Sequence, residues 1–269
     1  MAISNINDYI SNSNYQHMLT FHKAYGVARQ FLGTTWQSLP NAGSAPSTAS
    51  TCSNTTTGAL NRETPIGLSS YDWRLTSLQV TSPADSQFLL VDRLSHQGGL
   101  VANTTSTQTT NLPTAALTRY TNGNNVMAGI EIFTSLGSTA TTATVSYTNQ
   151  NGTSGKTSKP FVIGGASYLD VNRILFIPLA DGDTGVRSVE SVTLAADTTT
   201  AGSFGVFLFK VLAMANPSKD AIYSANTYNA LLGGACHFEP ILPGACLMLV
   251  NNGQSSGNPC AGNICFTNV

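Results

Sequence analysis

Ala143, Val145 and Tyr147 alternate with Thr142, Thr144, Ser146 and Thr148, and the run stops at Asn149-Gln150-Asn151-Gly152. A period of two sends one set of side chains into a core and the other into water, which is the pattern of a half-buried strand. The Asn-Gly pair supplies the left-handed backbone a tight hairpin needs, so the chain is expected to turn there and return from Lys156 to Ile163.

Runs of similar character recur after Tyr71. Residues 71–80, 88–94, 126–134, 173–178, 189–194, 203–213 and 246–250 are rich in Val, Ile, Thr and aromatics, and Gly, Asn, Asp and Pro punctuate them. With the hairpin they make about nine strands, enough for two packed sheets, so the fold class reads as an all-β, jelly-roll-like β-sandwich. Ser203 to Ala213 reads as its central strand, with Phe204, Val206, Leu208 and Val211 on one face and Phe207 and Phe209 on the other. Gly202, Gly205 and the density of aromatic and β-branched residues argue against a helix there. Pro160, Pro178 and Pro217 fall at strand edges, where a missing N–H does little harm.

Two segments precede this region. Ile3, Ile6 and Ile10 are spaced for one face of a helix that Ser4 or Asn5 could cap, and Tyr15, Met18, Leu19 and His22 continue at helical spacings. Residues 1–32 therefore read as a short N-terminal helical arm, helical to about Tyr25. Residues 33–68 are Ser, Thr, Ala, Pro and Gly around isolated Trp36 and Leu39 and read as an extended linker, leaving 69–269 as the sandwich domain. Ile3, Ile6, Ile10, Trp36 and Leu39 are the candidate contact residues, since burying them on a neighbouring subunit or surface removes apolar area from water.

Only 9% of the 269 residues are charged, against about 25% in an ordinary soluble domain. The solvating work falls instead to 34 Thr, 28 Ser and 23 Asn. Twelve basic against 13 acidic residues leave no electrostatic footprint for nucleic acid. The longest apolar stretch, Phe204 to Met214, is interrupted by Gly205 and Lys210 and is well short of the ~20 residues of a membrane span. The opening MAISNINDYI has no basic region followed by an apolar one, so no signal peptide is expected. A near-neutral surface also removes the repulsion that keeps copies apart, which suits a chain that works in an assembly.

Catalytic chemistry is sparse. The histidines are His17, His22, His96 and His237, and no nucleophile elbow, zinc-protease motif or phosphate-binding glycine loop occurs. His96 with Asp92 or Asp85 could form part of an acyl-transfer triad, but a lone His beside Arg93 reads better as a surface or capping residue. Asp181 and Asp183 could share a Ca²⁺ ion, or act with Glu190 as a glycosidase pair. Val192 stands where a calcium loop needs its bidentate Glu, and alternating Asp and Gly read better as a turn.

Of five cysteines, Cys236, Cys246, Cys260 and Cys265 crowd the last 34 residues, and Cys52 stands apart. Their spacing matches no zinc ribbon, although Cys236, His237, Cys260 and Cys265 could make a ligand set; free, buried thiols are the favoured reading. A Cys260–Cys265 link across Ala-Gly-Asn-Ile is expected only once the protein meets oxidising surroundings. Three Asn-x-Thr sequons, at Asn54, Asn103 and Asn151, carry little meaning without a secretory signal. The chain is thus expected to be no enzyme and to need no cofactor or metal.

Longer stretches carry a resemblance. Thr144-Val-Ser-Tyr-Thr-Asn-Gln-Asn-Gly-Thr153, Gly182-Asp-Thr-Gly-Val-Arg-Ser-Val-Glu-Ser-Val-Thr-Leu194 and Gly202-Ser-Phe-Gly-Val206 resemble a family of head and virion structural proteins of tailed bacteriophages. Trp36-Gln-Ser-Leu-Pro40, Cys52-Ser-Asn-Thr-Thr-Thr-Gly-Ala-Leu60 and Ala245-Cys-Leu-Met-Leu-Val250 are similar to it as well, and the likeness departs at Asn258 to Cys265. The resemblance implies a non-enzymatic capsid decoration or cement protein, made in the host cytoplasm and placed on the capsid surface of the virion. Its expected partners are the major capsid protein and itself, as a homotrimer matching local three-fold positions. The alternative is a tail or fibre component that binds a host-surface carbohydrate.

Overall fold

The computed structural model describes residues 6–12, 16–23, 32–34, 43–62, 72–83, 85–166, 171–217, 226–230, 238–253 and 260–268. Helix α1 (Ile6–Asn12) is followed by β1 (Gln16–Lys23), β2 (Leu32–Thr34), β3 (Ser50–Thr51), β4 (Trp73–Thr81), β5 (Ser86–Val101) and β6 (Gln108–Thr109). Next come β7 (Val126–Thr134), β8 (Ala140–Asn149), β9 (Lys156–Thr157), β10 (Phe161–Gly164), β11 (Ile174–Phe176) and β12 (Val186–Leu194). The last are β13 (Ser203–Ala215), β14 (Asn226–Asn229), β15 (Pro240–Ile241), β16 (Leu247–Gly253) and β17 (Cys260–Asn268). All registered pairs are antiparallel, and the all-β class and sandwich architecture expected from the alternation hold.

The chain divides into two compact units. The first comprises Met1–Gly43, Ser53–Asp92 and Leu212–Val269, the second Ser44–Cys52 and Arg93–Val211. Each has its own core.

In the second unit one sheet runs β10-β8-β12-β6, with β9 also on β8, while β11, β7 and β13 are neighbours in another. Val126, Ala128, Ile130 and Ile132 of β7 join Phe204, Val206 and Leu208 of β13 in one buried cluster with Ala143, Val145 and Tyr147 of β8 and Val189, Val192 and Leu194 of β12. The alternation read in β8 is thus the inner face of a sandwich, and its Asn-Gly turn leads into a return at Lys156 as expected.

The other face of β13 is also buried. Phe207 and Phe209 are both 0% exposed, and their rings stack with centroids 4.9 Å apart, with Phe176 5.3 Å from Phe209. Phe207 pairs across the sheet with Gly129. A methyl group at 129 would lie 2.8 Å from the Phe207 ring, so the missing side chain is what admits the aromatic. Beside them, Arg93 Nη1 donates to Glu131 Oε2 at 2.7 Å with both side chains wholly buried. Arg93 Nε donates to His96 Nδ1 at 3.1 Å, and its guanidinium lies 4.5 Å from the Phe207 ring centroid.

In the first unit the sheet order is β1-β17-β4-β14, with β15 also on β4, and β16 pairs with residues 86–92 of β5 and with β2. Leu19, Phe21, Leu75, Leu78, Val80, Ile264 and Phe266 close a core with Phe88, Leu90, Leu247 and Leu249. Asn61 is fully buried there; its amide nitrogen donates to Ala245 O at 3.1 Å, and its side-chain oxygen accepts from Leu247 N at 3.3 Å. Asn61→Ala strands two backbone groups in the core, and a loss of about 1–3 kcal/mol in urea unfolding is expected.

Two expectations are corrected here. The N-terminal helix stops at Asn12 and does not run to Tyr25; residues 16–23 are the edge strand β1, paired with β17. Leu19 and Phe21 are buried while Met18, Thr20 and His22 are exposed, a period of two that the helical spacings of Tyr15, Met18 and His22 concealed. Tertiary pairing overrode local spacing. The second correction concerns Cys260 and Cys265, which lie on one strand, β17, and not on the two sides of a turn. Five positions apart they point to opposite faces, and their Cα atoms are roughly 16 Å apart, too far for a disulfide.

Candidate functional site

The acidic cluster of the sequence sits in the loop between β11 and β12, and its two carboxylates are used differently. The Asp183 side chain is 6% exposed. Its Oδ2 accepts from Tyr147 Oη at 2.6 Å and lies 3.6 Å from Lys156 Nζ, and its Oδ1 accepts from Asn149 Nδ2 at 2.7 Å. Tyr147 Oη in turn accepts from Ala180 N at 2.9 Å. Asp181 is 92% exposed and pairs through Oδ1 with Lys159 Nζ. Asp183 is therefore a structural tie, and no Asp181–Asp183 pair is left to share an ion. Among the described residues no group of three or more His, Cys, Asp or Glu could hold a metal.

Burial and the Asp183 hydrogen bond push the Tyr147 phenol up from 10.0 to about 12. The Tyr147 hydrogen bond, followed by those from Asn149 and Lys156, holds the Asp183 carboxyl below its usual 3.8. A lowered carboxyl contributes stability that is present above its unfolded value and lost as pH falls through the folded one. A raised phenol contributes stability that is complete below 10.0 and lost as pH climbs through about 12. Thermal unfolding should thus show a flat region between about pH 4 and 10, and Tyr147→Phe should flatten both flanks.

Around this tie the turns are knitted together. Gln150 Oε1 accepts from Thr184 N at 3.1 Å and Gly185 N at 3.2 Å, and Gln150 N donates to Gly185 O at 3.0 Å. The register of β12 on β8 shifts between Val186 and Ser188 and again between Val189 and Ser191, so Arg187 and Glu190 are bulged residues. Bulges re-aim side chains. Arg187 Nη2 reaches Gln150 O at 2.7 Å, and its Nε lies 3.2 Å from Asn122 O. Glu190 Oε1 accepts from Thr148 Oγ1 at 2.6 Å and Ser188 Oγ at 2.8 Å. Tyr147 and Thr148 are consecutive on β8 and point to opposite faces, so Asp183 and Glu190 lie on opposite sides of that strand and form no glycosidase pair.

A groove of about 600 Å³ adjoins the loop. Half-buried Leu179, backed by Val126 and Ile177 of the core, gives it an apolar wall, and Asn125, Asp181, Thr184 and Lys210 line it with polar groups. Lys210 Nζ stands 5.7 Å from the Tyr120 ring centroid. Tyr120 and Asn125 both have positive φ, 50° and 56°, a conformation that non-glycine residues rarely adopt and that clusters at functional sites.

The other sequence candidates are dispersed. His96 is 2% exposed with Nδ1 taken by Arg93, and Asp92 Oδ1 accepts from Cys246 N at 2.8 Å, so neither is set up for acyl transfer. Ile10 is 69% exposed on α1, and Ile6 opens the same helix. Ile3, Trp36, Leu39, Cys236 and His237 lie outside the described residues. Lys210 was passed over in the sequence because it interrupts an apolar strand. The missed signal was scarcity: Lys156, Lys159 and Lys210 are three of only five lysines, and all three surround one loop.

No family model matches the sequence, and no curated protein does. Among solved structures the chain is similar to the VP2 subviral particle of infectious bursal disease virus, at 10% identity over 96% of this chain and 81% of that one, with a TM-score of 0.20. The T=1 particles derived from that virus match at 11% identity over 96% and 78%, again with a TM-score of 0.20. Likeness at this level assigns no residue a role. Among the described residues no helix is long and apolar enough to cross a membrane.

Proposed function

We propose that this chain is a non-enzymatic structural protein of a bacteriophage virion, a decoration or cement subunit that holds the capsid through repeated weak contacts. The observation that carries the reading is where the family-like segments fall. Residues 144–153, 182–194 and 202–206 occupy β8 and its turn, the Asp183 loop with β12, and the start of β13. The first two are tied by Asp183 to Tyr147 and Asn149, by Gln150 to Thr184 and Gly185, and by Arg187 to Gln150. The first two resembling segments thus form one hydrogen-bonded scaffold, a rigid unit of the kind a load-carrying subunit needs.

Contacts to neighbours fall to the N-terminal segment. Ile10 is 69% and Met18 57% exposed, large apolar side chains on a helix and an edge strand of a weakly charged chain. Each contributes on the order of 1.5–3 kcal/mol when buried on a second subunit or shell. A trimer repeats that contact by symmetry and gains avidity from it.

Deleting residues 1–12 removes Ile3, Ile6 and Ile10 but leaves β1. The far-ultraviolet spectrum is expected to keep its β character, losing only the contribution of the seven-residue α1, while saturation of capsids lacking the protein is lost. Moderate salt should leave binding by the intact chain untouched, because few charges are available to screen. Full occupancy by the shortened chain would overturn the contact assignment. Mass spectrometry of purified virions tests the placement: copies on the order of hundreds per particle fit a symmetric coat, and about a dozen or fewer would exclude it.

A further inference from the structure

We propose that the groove beside the Asp181–Thr184 loop binds a carboxylate-bearing sugar, with Lys210 as the cation that receives the carboxylate. This stands apart from the protein's place on a particle. Charge is the first argument. Three lysines face two aspartates around this loop; Lys159 is engaged by Asp181 and Lys156 stands by Asp183, so Lys210 is the surplus cation. Its ammonium meets no carboxylate among the described residues and rests on the Tyr120 ring. In a chain with only 9% charged residues, an unpaired cation lining a groove is complementary to an anion.

Shape and hydrogen bonding narrow the anion to a sugar. The volume of about 600 Å³ is within the range of small-ligand sites. Half-buried Leu179, backed by the core residues Val126 and Ile177, offers apolar surface to the C–H face of a pyranose ring. Asp181, with one oxygen on Lys159 and a side chain 92% exposed, can accept from ring hydroxyls, and Asn125 and Thr184 can both donate and accept. An acidic peptide would satisfy Lys210 but would bring few hydroxyls to the acceptors. The positive φ of Tyr120 and Asn125 holds the turn that positions the ring under Lys210 and the amide at the groove.

The test is calorimetric titration of the full chain with the α-methyl glycoside of N-acetylneuraminic acid, methyl glucuronide, methyl glucoside and acetate. The two carboxylated sugars are expected to bind and to compete, with methyl glucoside and acetate each weaker by at least about tenfold. Lys210→Gln should cost the carboxylated sugars about tenfold or more and leave the melting temperature unchanged. Asp181→Asn should weaken them less than Lys210→Gln does. The proposal is overturned if folded protein binds neither carboxylated sugar, if methyl glucoside binds equally well, or if Lys210→Gln binds undiminished. It is likewise overturned if a poly-aspartate peptide binds through Lys210 while the sugars do not.

Discussion

Glu131→Ala is expected to lower the stability of the protein by about 3–5 kcal/mol, because it leaves the Arg93 guanidinium in the core without its carboxylate. Both side chains are wholly buried and 2.7 Å apart. Arg93 also donates from Nε to His96 Nδ1 and lies over the Phe207 ring. His96 offers Nδ1 as an acceptor, which places its proton on Nε2. The sign of a second substitution separates a broken pair from a simple cavity. Replacing both partners, Arg93→Met with Glu131→Leu, removes the charges together and should recover much of the loss in urea unfolding. A double variant as unstable as Glu131→Ala would show that volume, not charge, is what the site protects.

Phe207→Ala should be comparably damaging, at about 3–5 kcal/mol, and Phe209→Ala close behind. Phe207 loses its stacking on Phe209, uncovers Gly129 and takes away the aromatic face beneath Arg93. Against a total stability of about 5–15 kcal/mol, either change approaches the limit at which the chain folds. Phe207→Leu refills part of the space and is expected to lie between the wild type and Phe207→Ala. Equilibrium unfolding by urea measures all three, and midpoints unchanged by both alanine substitutions would contradict the burial of this strand face.

What the sequence made legible follows from how regular each element is. β8 and β13 were readable because their patterns are uninterrupted: Ala143, Val145 and Tyr147 alternate cleanly, and Phe204 to Phe209 is apolar on both faces. β1 was misread because Met18, although exposed, lies three residues from Tyr15 and four from His22, so a helical spacing coexists with the strand. β17 went unseen because Gly262 and Asn263 break its alternation, leaving Ile264 and Phe266 as the only evident inward pair. The division into two cores was not legible, since each strand pattern reports a local face and not the partner it meets.

A residue's type and local spacing carry no record of its long-range partners. Asp181 and Asp183 looked alike in the sequence, yet one is solvent-exposed and the other is locked by Tyr147 and Asn149 from a strand some thirty-five residues away. Lys210 and Tyr120 meet across ninety positions of chain, a separation no spacing rule reaches. Bulges at Arg187 and Glu190 leave a trace only in hindsight, in the three-residue step from Val189 to Val192 between buried valines.

The order of the chain has a consequence for synthesis. All of the second unit is encoded by residue 211, while the first unit still waits for β16 and β17, and β17 is the strand between β1 and β4. A ribosome adding about 5–20 residues per second leaves several seconds in which one sandwich is complete and the other has an open gap in its sheet. During that interval β1 and β4 present unsatisfied edges to any other nascent chain, and a polypeptide cut short before 260 keeps them permanently. The order of the strands thus ties closure of the first sheet to translation of β17, and a nascent chain that has not reached it carries an open sheet.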